Sequence, residues 1–294
     1  MNREAAGLTG LPEGTPVVTG AADMACSQIG TGAVAEGTLA ITLSTSAQVV
    51  LRVPSLQTGS PGKITFHPSA VPDTFYAMGT IFTGGLGVEW GYRFLSGKDK
   101  LGEDDFRAIN ALCREMADIP PGSGGLMFLP FLTGSGTPHF DAVDKGSWLG
   151  LSTGQSKALM LHSIMEGIAF NIRENVGMFE NDGHRIERIH LGGGGSGNPV
   201  WCQMIAHVLG KDIRLLAVRN ASAIGAAILA GTGTGFFPSL EEAAARAVRT
   251  GEAFAADGEK HGRYNRLYRH YRNVYRALNV HYHDLATDLA WDGH

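Results

Sequence analysis

One aspartate and one glycine cluster, about 170 residues apart in the chain, are the residues whose types and spacing suggest chemistry. Asp23 follows Gly20-Ala21-Ala22, where a short buried strand over Val17–Thr19 is predicted to end and a helix over Asp23–Ile29 to begin. A carboxylate with small neighbours has room for a ligand, and the dipole of the helix keeps it ionised. It could accept the proton of a hydroxyl group that attacks a phosphoryl group. The alternative is that Asp23 only caps the helix, as aspartate often does.

The glycine cluster Gly192–Gly197 indicates a main-chain site for an anion. Residues without side chains allow consecutive N–H groups to face a phosphate at the start of a helix. Asn198 and Pro199 predict that a helix starts here, because Asn accepts hydrogen bonds from free N–H groups and Pro fits the first helical position. A turn with a purely structural role is the alternative. A base for a hydroxyl group and a nucleotide-binding turn are two parts of a small-molecule kinase.

The same glycines also satisfy the G-x-G-x-x-G pattern of nicotinamide-dependent dehydrogenases. Those enzymes need an acidic residue about 20 residues later, at the end of the next strand, to bind the ribose hydroxyls. The next predicted strand, Ile213–Val218, is followed by Arg219 and Asn220, so the acidic residue is missing. Arg219 suits a 2′-phosphate, but no other residue favours hydride transfer. The dehydrogenase hypothesis is therefore not favoured.

A polar turn with hydroxyl groups is the third candidate. Thr38–Leu43 and Ala47–Val53 predict two strands separated only by Ser44-Thr45-Ser46, which indicates a hairpin. The hydroxyl and N–H groups of such a turn can bond to phosphate oxygens. The alternative is an ordinary polar turn.

The composition excludes several classes of protein. The chain has 294 residues, of which 44% are hydrophobic and 18% charged, an ordinary balance for a globular protein. The net charge of −4 provides no basic surface for nucleic acid or for an anionic membrane, and no apolar run is long enough to span a bilayer. The cysteines and histidines have no metal-ligand spacing, so no protein-held metal is predicted. We interpret Cys26, Cys113 and Cys202 as reduced thiols of a cytoplasmic protein.

Strands followed by helices along the chain predict an α/β fold with a mixed sheet. The region 54–74 is rich in Pro, Ser and Gly and is predicted to be a loop, whereas Leu126–Leu132 is predicted to be a strand. His281–Asp284 is interpreted as a frayed end. No linker divides the chain, so residues 1–294 are predicted to form a single domain. Apolar spacing and capping residues predict further helices over Asp104–Met116, Ser156–Phe179, Asn198–Gly210, Ser222–Leu229 and about 262–278.

Several short motifs occur in the order found in one family of enzymes. From about residue 8 to residue 280, the chain resembles the C-terminal half of the FGGY carbohydrate kinases, and within them the members that phosphorylate xylulose. Each motif is modest alone, and the ordered set is specific. It comprises Gly10–Val18, Gly20–Asp23, Thr42–Ser46, Leu129–Gly134, Thr137–His139, Glu166-Gly167, Gly193–Gln203 and Gly225–Ala227.

The resemblance implies a ribonuclease-H-like domain of the actin-like ATPase type, with a mixed sheet flanked by helices. It also implies ATP-dependent phosphorylation of a ketose or polyol, with Mg²⁺ as the metal and xylulose as the favoured sugar. In this family the aspartate that matches Asp23 is the catalytic base, and the threonine that matches Thr45 meets the terminal phosphates of ATP. The nucleotide-binding positions that the resemblance implies are Thr45, Gly85, Gly193, Gly194, Gly195 and Asn198.

The sequence departs from the family's pattern in several places. Ser44 stands where glycine is usual, His207 stands where aspartate is usual, and Ser135-Gly136 replaces the Glu-Arg pair of xylulose-specific members. The N-terminal domain of the family, with its Asp-x-Gly-Thr phosphate motif and most sugar contacts, has no counterpart in this sequence. In the family the closing helix, here about 262–278, packs toward that first domain. Its aromatic stripe from Tyr264 onward is therefore expected to be exposed or to meet another partner.

Two hypotheses follow. The first is the C-terminal domain of a sugar kinase that acts together with an N-terminal kinase domain or forms a homo-oligomer. Because half of the cleft would be missing, we expect the isolated chain to have little or no kinase activity. The second is a non-catalytic nucleotide-binding or assembly module, or one half of a split enzyme. Neither hypothesis predicts a nucleic-acid or membrane partner.

Overall fold

The computed structural model describes residues 1–56, 59, 61–217 and 220–289. Val218 and Arg219, on which the dehydrogenase hypothesis depended, lie outside the described residues. The strands are β1 (Thr38–Leu43), β2 (Ala47–Val53), β3 (Thr65–Pro68), β4 (Phe75–Ile81), β5 (Met127–Leu129), β6 (Ser147–Leu149), β7 (Arg188–Gly192), β8 (Ile213–Leu216) and β9 (Thr250–Phe254). The α-helices are α1 (Arg3–Thr9), α2 (Asp23–Gly30), α3 (Gly85–Ser96), α4 (Glu103–Glu115), α5 (Lys157–Asn181), α6 (Pro199–Leu209), α7 (Ala221–Gly233), α8 (Leu240–Ala247) and α9 (Gly258–Asp288).

Seven strands form one sheet in the order β3-β4-β2-β1-β7-β8-β9, and β5 and β6 form a separate pair. β1 is parallel to β7 and β7 is parallel to β8, whereas the other neighbours in the sheet are antiparallel. The prediction of a mixed sheet is therefore confirmed. Thr42 is paired with Gly192, so β1 and β7 end at the same edge. The segments that follow these two strands consequently lie side by side, at the edge where α/β sheets bind ligands.

Helices cover both faces of the sheet. Alternate residues of a strand point to opposite faces, and in β2 Val49 and Leu51 join the main core, to which the 25-residue helix α5 contributes heavily. Val50 packs with Ala25 of α2 on the other face. On that face α2 and α7 approach closely, and a Cβ atom on Gly225 of α7 would lie only 1.8 Å from the carbonyl oxygen of Cys26 in α2. The small-residue helix predicted near Ser222–Leu229 is thus present as α7, and its glycine permits the contact.

The strand predicted over Val17–Thr19 does not form. Residues 15–22 have neither helical nor strand structure, and the side chain of Val17 is 71% exposed. A strand needs a neighbour that satisfies its N–H and C=O groups, and no strand of the described sheets pairs with this segment. The prediction was wrong because the β-branched residues of Val17–Thr19 favour an extended backbone but cannot by themselves supply the neighbouring strand that a β-sheet requires. The helix predicted to follow is confirmed as α2.

Three other boundaries differ from the predictions. Region 54–74 contains the short edge strand β3, and the strand predicted over Leu126–Leu132 is reduced to β5. Helix α9 extends beyond about 262–278 in both directions. The segment His281–Asp284 belongs to this helix instead of fraying, because His283 Nε2 lies 2.6 Å from the Asp141 carboxylate. A contact distant in the sequence therefore orders the end of the chain's last helix.

The aromatic stripe of α9 is buried, which corrects the expectation that it would be exposed. Tyr264 and Tyr271 are 3% and 0% exposed. Their rings lie 5.9 and 5.3 Å from the ring of Phe170 in α5. The sequence alone could not show that α5 supplies an aromatic partner, because the two helices are far apart in the chain.

All three cysteines are buried and unbridged, as predicted. Within the ranges that the structure describes, no helix combines the length and the hydropathy that crossing a bilayer requires.

Candidate functional site

The turn after β1 is fixed against the start of α3. The N–H of Ser44 donates to the carbonyl of Ser46 at 2.8 Å, which closes the hairpin. The N–H of Gly85 donates to the carbonyl of Ser44 at 2.6 Å, and the N–H of Gly84 to the carbonyl of Thr45 at 2.9 Å. The side chains of Ser44 and Thr45 remain exposed. The hairpin predicted from the sequence is confirmed, and it presents the Thr45 hydroxyl on a turn that is held by main-chain bonds.

The glycine turn after β7 packs against the end of β1. Gly193 has φ +89°, a conformation that favours glycine. A Cβ atom there would lie 2.4 Å from the carbonyl oxygen of Leu43, and a Cβ atom on Gly195 would lie 2.6 Å from the Leu43 side chain. Gly194 instead faces open space. The close approach of two strand ends therefore requires glycine, and it leaves one side of the turn free.

A short 3₁₀ helix over Gly194–Gly197 leads from this turn into α6. The first N–H groups of such a helix have no acceptor within it, so they are available to an anion. Asn198 caps α6, because its side-chain oxygen accepts a hydrogen bond from the N–H of Trp201 at 3.2 Å. The same side chain bonds to the thiol of Cys113, whose pKa is raised by burial. Asn198 therefore has a structural role beside any contact with a ligand.

These three segments form what we call the loop edge: Ser44–Ser46, Gly84-Gly85 and Gly193–Asn198. It brings together the six residues that the sequence assigned to nucleotide binding. They are Thr45, Gly85, Gly193, Gly194, Gly195 and Asn198. The polar groups that the loop edge offers are mostly main-chain N–H groups and hydroxyls, which are suited to phosphate oxygens.

Asp23 occupies the first position of α2. Its side chain is exposed, and its Oδ1 accepts a hydrogen bond from the N–H of Met24 at 2.8 Å. Met24 packs beside Tyr76 of β4, and the pKa of Tyr76 is raised by burial and then by the Asp23 charge. Within the described residues, no hydrogen bond or ion pair joins Asp23 to the loop edge. The carboxylate is thus accessible and positioned by a helix start.

Ser123, His162 and Glu166 form a buried cluster of polar side chains that was not predicted from the sequence. The hydroxyl of Ser123 lies 2.8 Å from His162 Nδ1 and donates to Glu166 Oε2 at 2.7 Å. The N–H of Gly122 donates to Glu166 Oε1 at 2.8 Å. Tyr264 also bonds to Glu166. His162 and Glu166 lie four residues apart in α5, a helix of mainly apolar residues. Two polar residues on one face of such a helix were the only local sign of this cluster in the sequence.

Burial sets the charges in this cluster, because water cannot stabilise an ion there. It raises the pKa of Glu166 to about 7, against the opposing effect of its hydrogen bonds. It lowers the pKa of His162 to about 4. Burial also raises the pKa of Tyr264, with a further contribution from Glu166. The cluster therefore holds a neutral histidine beside a carboxyl group that titrates near neutral pH.

The structure offers no protein cage for a metal. Among the described residues, no group of three His, Cys, Asp or Glu side chains is placed to hold a metal ion. The loop edge itself carries no carboxylate. Mg²⁺ usually binds through one or two carboxylates together with substrate phosphates and water. The residues present therefore fit phosphate better than they fit a magnesium ion alone.

Comparison with known proteins shows relatives among the sugar kinases. The chain is 32% identical over 284 residues to xylulose kinase of Bacillus subtilis, which covers 97% of this chain and 54% of that protein. It is 30% identical over 303 residues to autoinducer-2 kinase of Escherichia coli, with 98% and 56% covered. The chain thus spans about half the length of these relatives.

Solved structures show the same fold. Xylulose kinase from Rhodospirillum rubrum superposes with a TM-score of 0.85 at 29% identity, covering 96% of this chain and 56% of that one. This chain therefore has the actin-like ATPase fold that the family resemblance implied. Residues 32–234 match the C-terminal domain of the FGGY family of carbohydrate kinases. With more than half of its residues matched, this chain belongs to the FGGY family of carbohydrate kinases.

Proposed function

We propose that this chain forms the nucleotide-binding half of an ATP-dependent sugar kinase. The observation that carries the proposal is the loop edge, where the hairpin turn, the start of α3 and the glycine turn meet at the ends of two parallel strands. Main-chain N–H groups that converge at such an edge are typical of phosphate sites. Membership of the FGGY family supports ATP as the nucleotide.

In this proposal the loop edge binds the phosphates of ATP. The Thr45 hydroxyl bonds to the terminal phosphates, and the free N–H groups of Gly194 and Gly195 bond to phosphate oxygens nearer the nucleoside. Gly85 and Asn198 line the nucleotide on either side. Gly193 contributes by allowing the turn to approach Leu43, which its positive φ makes possible. Catalysis then depends on positioning and charge stabilisation, as in other phosphoryl transfers.

Asp23 is proposed as the catalytic base. Its carboxylate accepts the proton of a sugar hydroxyl while that oxygen forms a bond to the γ-phosphorus, and the bond from the γ-phosphorus to the bridging oxygen of ADP breaks. Exposure of Asp23 at the start of a helix supports this role, because a sugar can reach its carboxylate. General-base catalysis contributes on the order of 10²–10⁴ in rate.

Magnesium is proposed to enter with ATP, held mainly by phosphate oxygens and water. When bound, it neutralises the charge that develops on the transferred phosphoryl group. The loop edge lacks carboxylates, so we assign it the phosphates and not the metal.

The proposed sugar is a ketose or polyol, with xylulose favoured because several relatives are xylulose kinases. Ser135-Gly136 departs from the Glu-Arg pair of xylulose-specific members, which is consistent with a ketose or polyol other than xylulose. We further propose that residues 1–294 form one domain and that its partner is an N-terminal kinase domain or a second copy of the chain. The unbridged cysteines support a cytoplasmic location.

Titration of ATP against the purified chain tests the nucleotide site. We expect saturable binding that Thr45→Ala weakens and that Asp23→Asn leaves unchanged, because only Thr45 belongs to the loop edge. Absence of ATP binding would contradict the proposal. Equal effects of the two substitutions would show that the assigned roles are wrong.

An assay of xylulose phosphorylation tests the division into two halves. We expect little or no turnover by this chain alone and activity after it is mixed with the first domain of a xylulose kinase, abolished by Asp23→Asn. Binding of ATP without activity in the mixture would favour the alternative of a non-catalytic nucleotide-binding module. Robust turnover by this chain alone would show that it holds a complete active site.

A further inference from the structure

A cavity of about 540 Å³ lies between α6, the start of α9 and the turn 116–121. We call it the α6–α9 cavity. Its floor consists of buried side chains, namely Met116, His162, Met204, His207 and Tyr264. Proline and aliphatic side chains form much of its wall. Its volume is in the range of pockets that hold metabolite-sized molecules, and apolar and polar side chains line it in nearly equal measure.

His162 is one of two histidines on the floor of this cavity. It is 3% exposed, and its Nδ1 is bonded to Ser123. Its other ring nitrogen, Nε2, has no hydrogen-bond partner among the residues that the structure describes. Nε2 is accessible from the cavity, so a ligand hydroxyl can replace water as its partner. The cavity is the space in which that partner can lie.

The residues behind His162 are held in an unusual conformation. Ser123 has φ +46°, between Gly122 at φ +103° and Gly124 at φ +65°. A non-glycine residue in the left-handed region is uncommon and persists where its surroundings fix it. Here the Ser123 side chain is completely buried and bonded to both His162 and Glu166. This arrangement fixes the position of the imidazole ring relative to the cavity.

The hydrogen-bond chain from Glu166 through Ser123 decides what Nε2 offers. When Glu166 is ionised, the Ser123 hydroxyl donates to it and accepts from His162 Nδ1, so Nε2 is an acceptor. When Glu166 is protonated, it donates to Ser123, Ser123 donates to Nδ1, and Nε2 carries the proton. Since the pKa of Glu166 is about 7, both states are populated near neutral pH. A hydroxyl group fits both, because it can donate and accept.

The rim of the cavity carries both signs of charge. The exposed acidic residues are Asp118, Asp257 and Glu259, and the exposed basic residues are Lys260 and Arg263. His162 and His207 on the floor have pKa values lowered by burial. With nearly balanced charges and neutral histidines, the site has no net attraction for a strongly charged ligand. A neutral ligand avoids the cost of burying an ion.

We propose that the α6–α9 cavity is a second ligand site, which binds a neutral small molecule with an apolar body and a hydroxyl group that bonds to His162 Nε2. The apolar body packs on the proline side chains of the wall and the methionine side chains of the floor. The hydroxyl reaches the floor.

Three probes that share one ring test the proposal: benzyl alcohol, toluene and benzoate. The readout is the ¹⁵N resonance of His162 Nε2 in the full chain, which responds to a hydrogen bond at that atom and not to binding at the loop edge. We expect a saturable shift with benzyl alcohol, and we expect toluene to reverse that shift by competition with about fivefold weaker affinity, the value of one hydrogen bond of about 1 kcal/mol. Benzoate is expected to bind more weakly than benzyl alcohol. Tighter binding of benzoate, or no shift with benzyl alcohol, would overturn the proposal.

A matched pair of substitutions locates the site. Val200 lines the cavity, so Val200→Phe fills part of it and is expected to abolish the shift with benzyl alcohol. Val280→Phe makes the same change at a side chain that is 58% exposed on α9, and it is expected to leave the shift intact. An unchanged shift in Val200→Phe places the ligand elsewhere and refutes the site. If Val200→Phe is not folded, the order of affinities of the three probes for the unaltered chain decides the question.

Discussion

The loop edge and the buried Ser123–His162–Glu166 cluster differ in the chemical groups that form them: main-chain groups in the first and side chains in the second. The loop edge consists of exposed turns whose polar groups are mostly main-chain N–H groups, and glycine at Gly193 is needed for the turn to approach Leu43. The buried cluster consists of side chains whose contacts span 39 and 43 residues along the chain. The main-chain N–H groups of the loop edge do not titrate. In the buried cluster, burial shifts the pKa values of His162 and Glu166 and so determines their charge.

The difference shows how each region should respond to change. A main-chain site fails when the backbone conformation is altered, whatever the pH. A buried side-chain cluster keeps its backbone but changes with protonation, because burial penalises each ion separately.

Substitutions in the buried cluster should uncover opposite pH dependences of stability. In Glu166→Gln, His162 remains with a pKa of about 4 against its ordinary value of 6.5. The unfolded chain then binds a proton that the folded chain refuses, so stability falls as the pH drops from 6.5 to 4. In His162→Gln, Glu166 remains with a pKa of about 7 against its ordinary 4.5, and the folded chain keeps a proton that the unfolded chain loses. Stability then falls as the pH rises from 4.5 to 7.

Each slope should be about 1.4 kcal/mol per pH unit, measured by urea denaturation across this range. The two effects cancel in the unaltered protein between pH 4.5 and 6.5, because the folded and unfolded states each hold one proton on this pair. The unaltered chain is therefore the control, with no net slope from the cluster. Parallel curves for all three proteins would show that burial does not control these charges.

Gly193→Ala should destabilise the loop edge by about 2 kcal/mol at every pH. The residue has φ +89°, and the added methyl group would meet the carbonyl oxygen of Leu43. The matched control is Gly197→Ala, where the methyl group enters open space and the change should stay within about 0.5 kcal/mol. Chemical denaturation measures both. Equal stability of the two variants would show that the close approach to Leu43 is not required.

Thr45→Ala should weaken ATP binding about tenfold without changing stability, because the hydroxyl is exposed on a turn that main-chain bonds hold. Thr45→Ser retains a hydroxyl at the same position and should restore most of the affinity. Calorimetric titration measures the difference. If Thr45→Ser binds as weakly as Thr45→Ala, the methyl group and not the hydroxyl contributes the contact.

Asn198→Ala should cost about 1 kcal/mol of stability, because the cap of α6 is lost. Asn198→Asp retains a side-chain oxygen that can cap the helix, so stability should recover. Its negative charge should still weaken ATP binding, since phosphates repel it. Thermal denaturation and ATP titration of both variants separate the structural role of Asn198 from the proposed one. Recovery of both properties in Asn198→Asp would remove Asn198 from the nucleotide site.

Much of the sheet and of the loop edge could be predicted because local patterns define them. β1 and β2 have the predicted boundaries, since apolar strands flank a short polar turn. The glycine turn and α6 were recognisable because glycine, Asn198 and Pro199 each restrict or cap the backbone locally. The strand over Val17–Thr19 was predicted wrongly because strand formation depends on a partner elsewhere in the chain. The buried cluster was missed for the same reason, since Ser123 gives no local sign that it meets Glu166.

Local sequence defines the elements whose causes lie within a few residues, such as caps, turns and apolar periodicity, and its ordered motifs indicate the family. Which segments meet is a property of the folded chain as a whole. Tertiary structure buries the tyrosines of α9 against Phe170, joins His283 to Asp141, and encloses Glu166 so that its pKa rises to about 7. Packing and desolvation depend on groups distant in the chain, so no local pattern of residues can specify them.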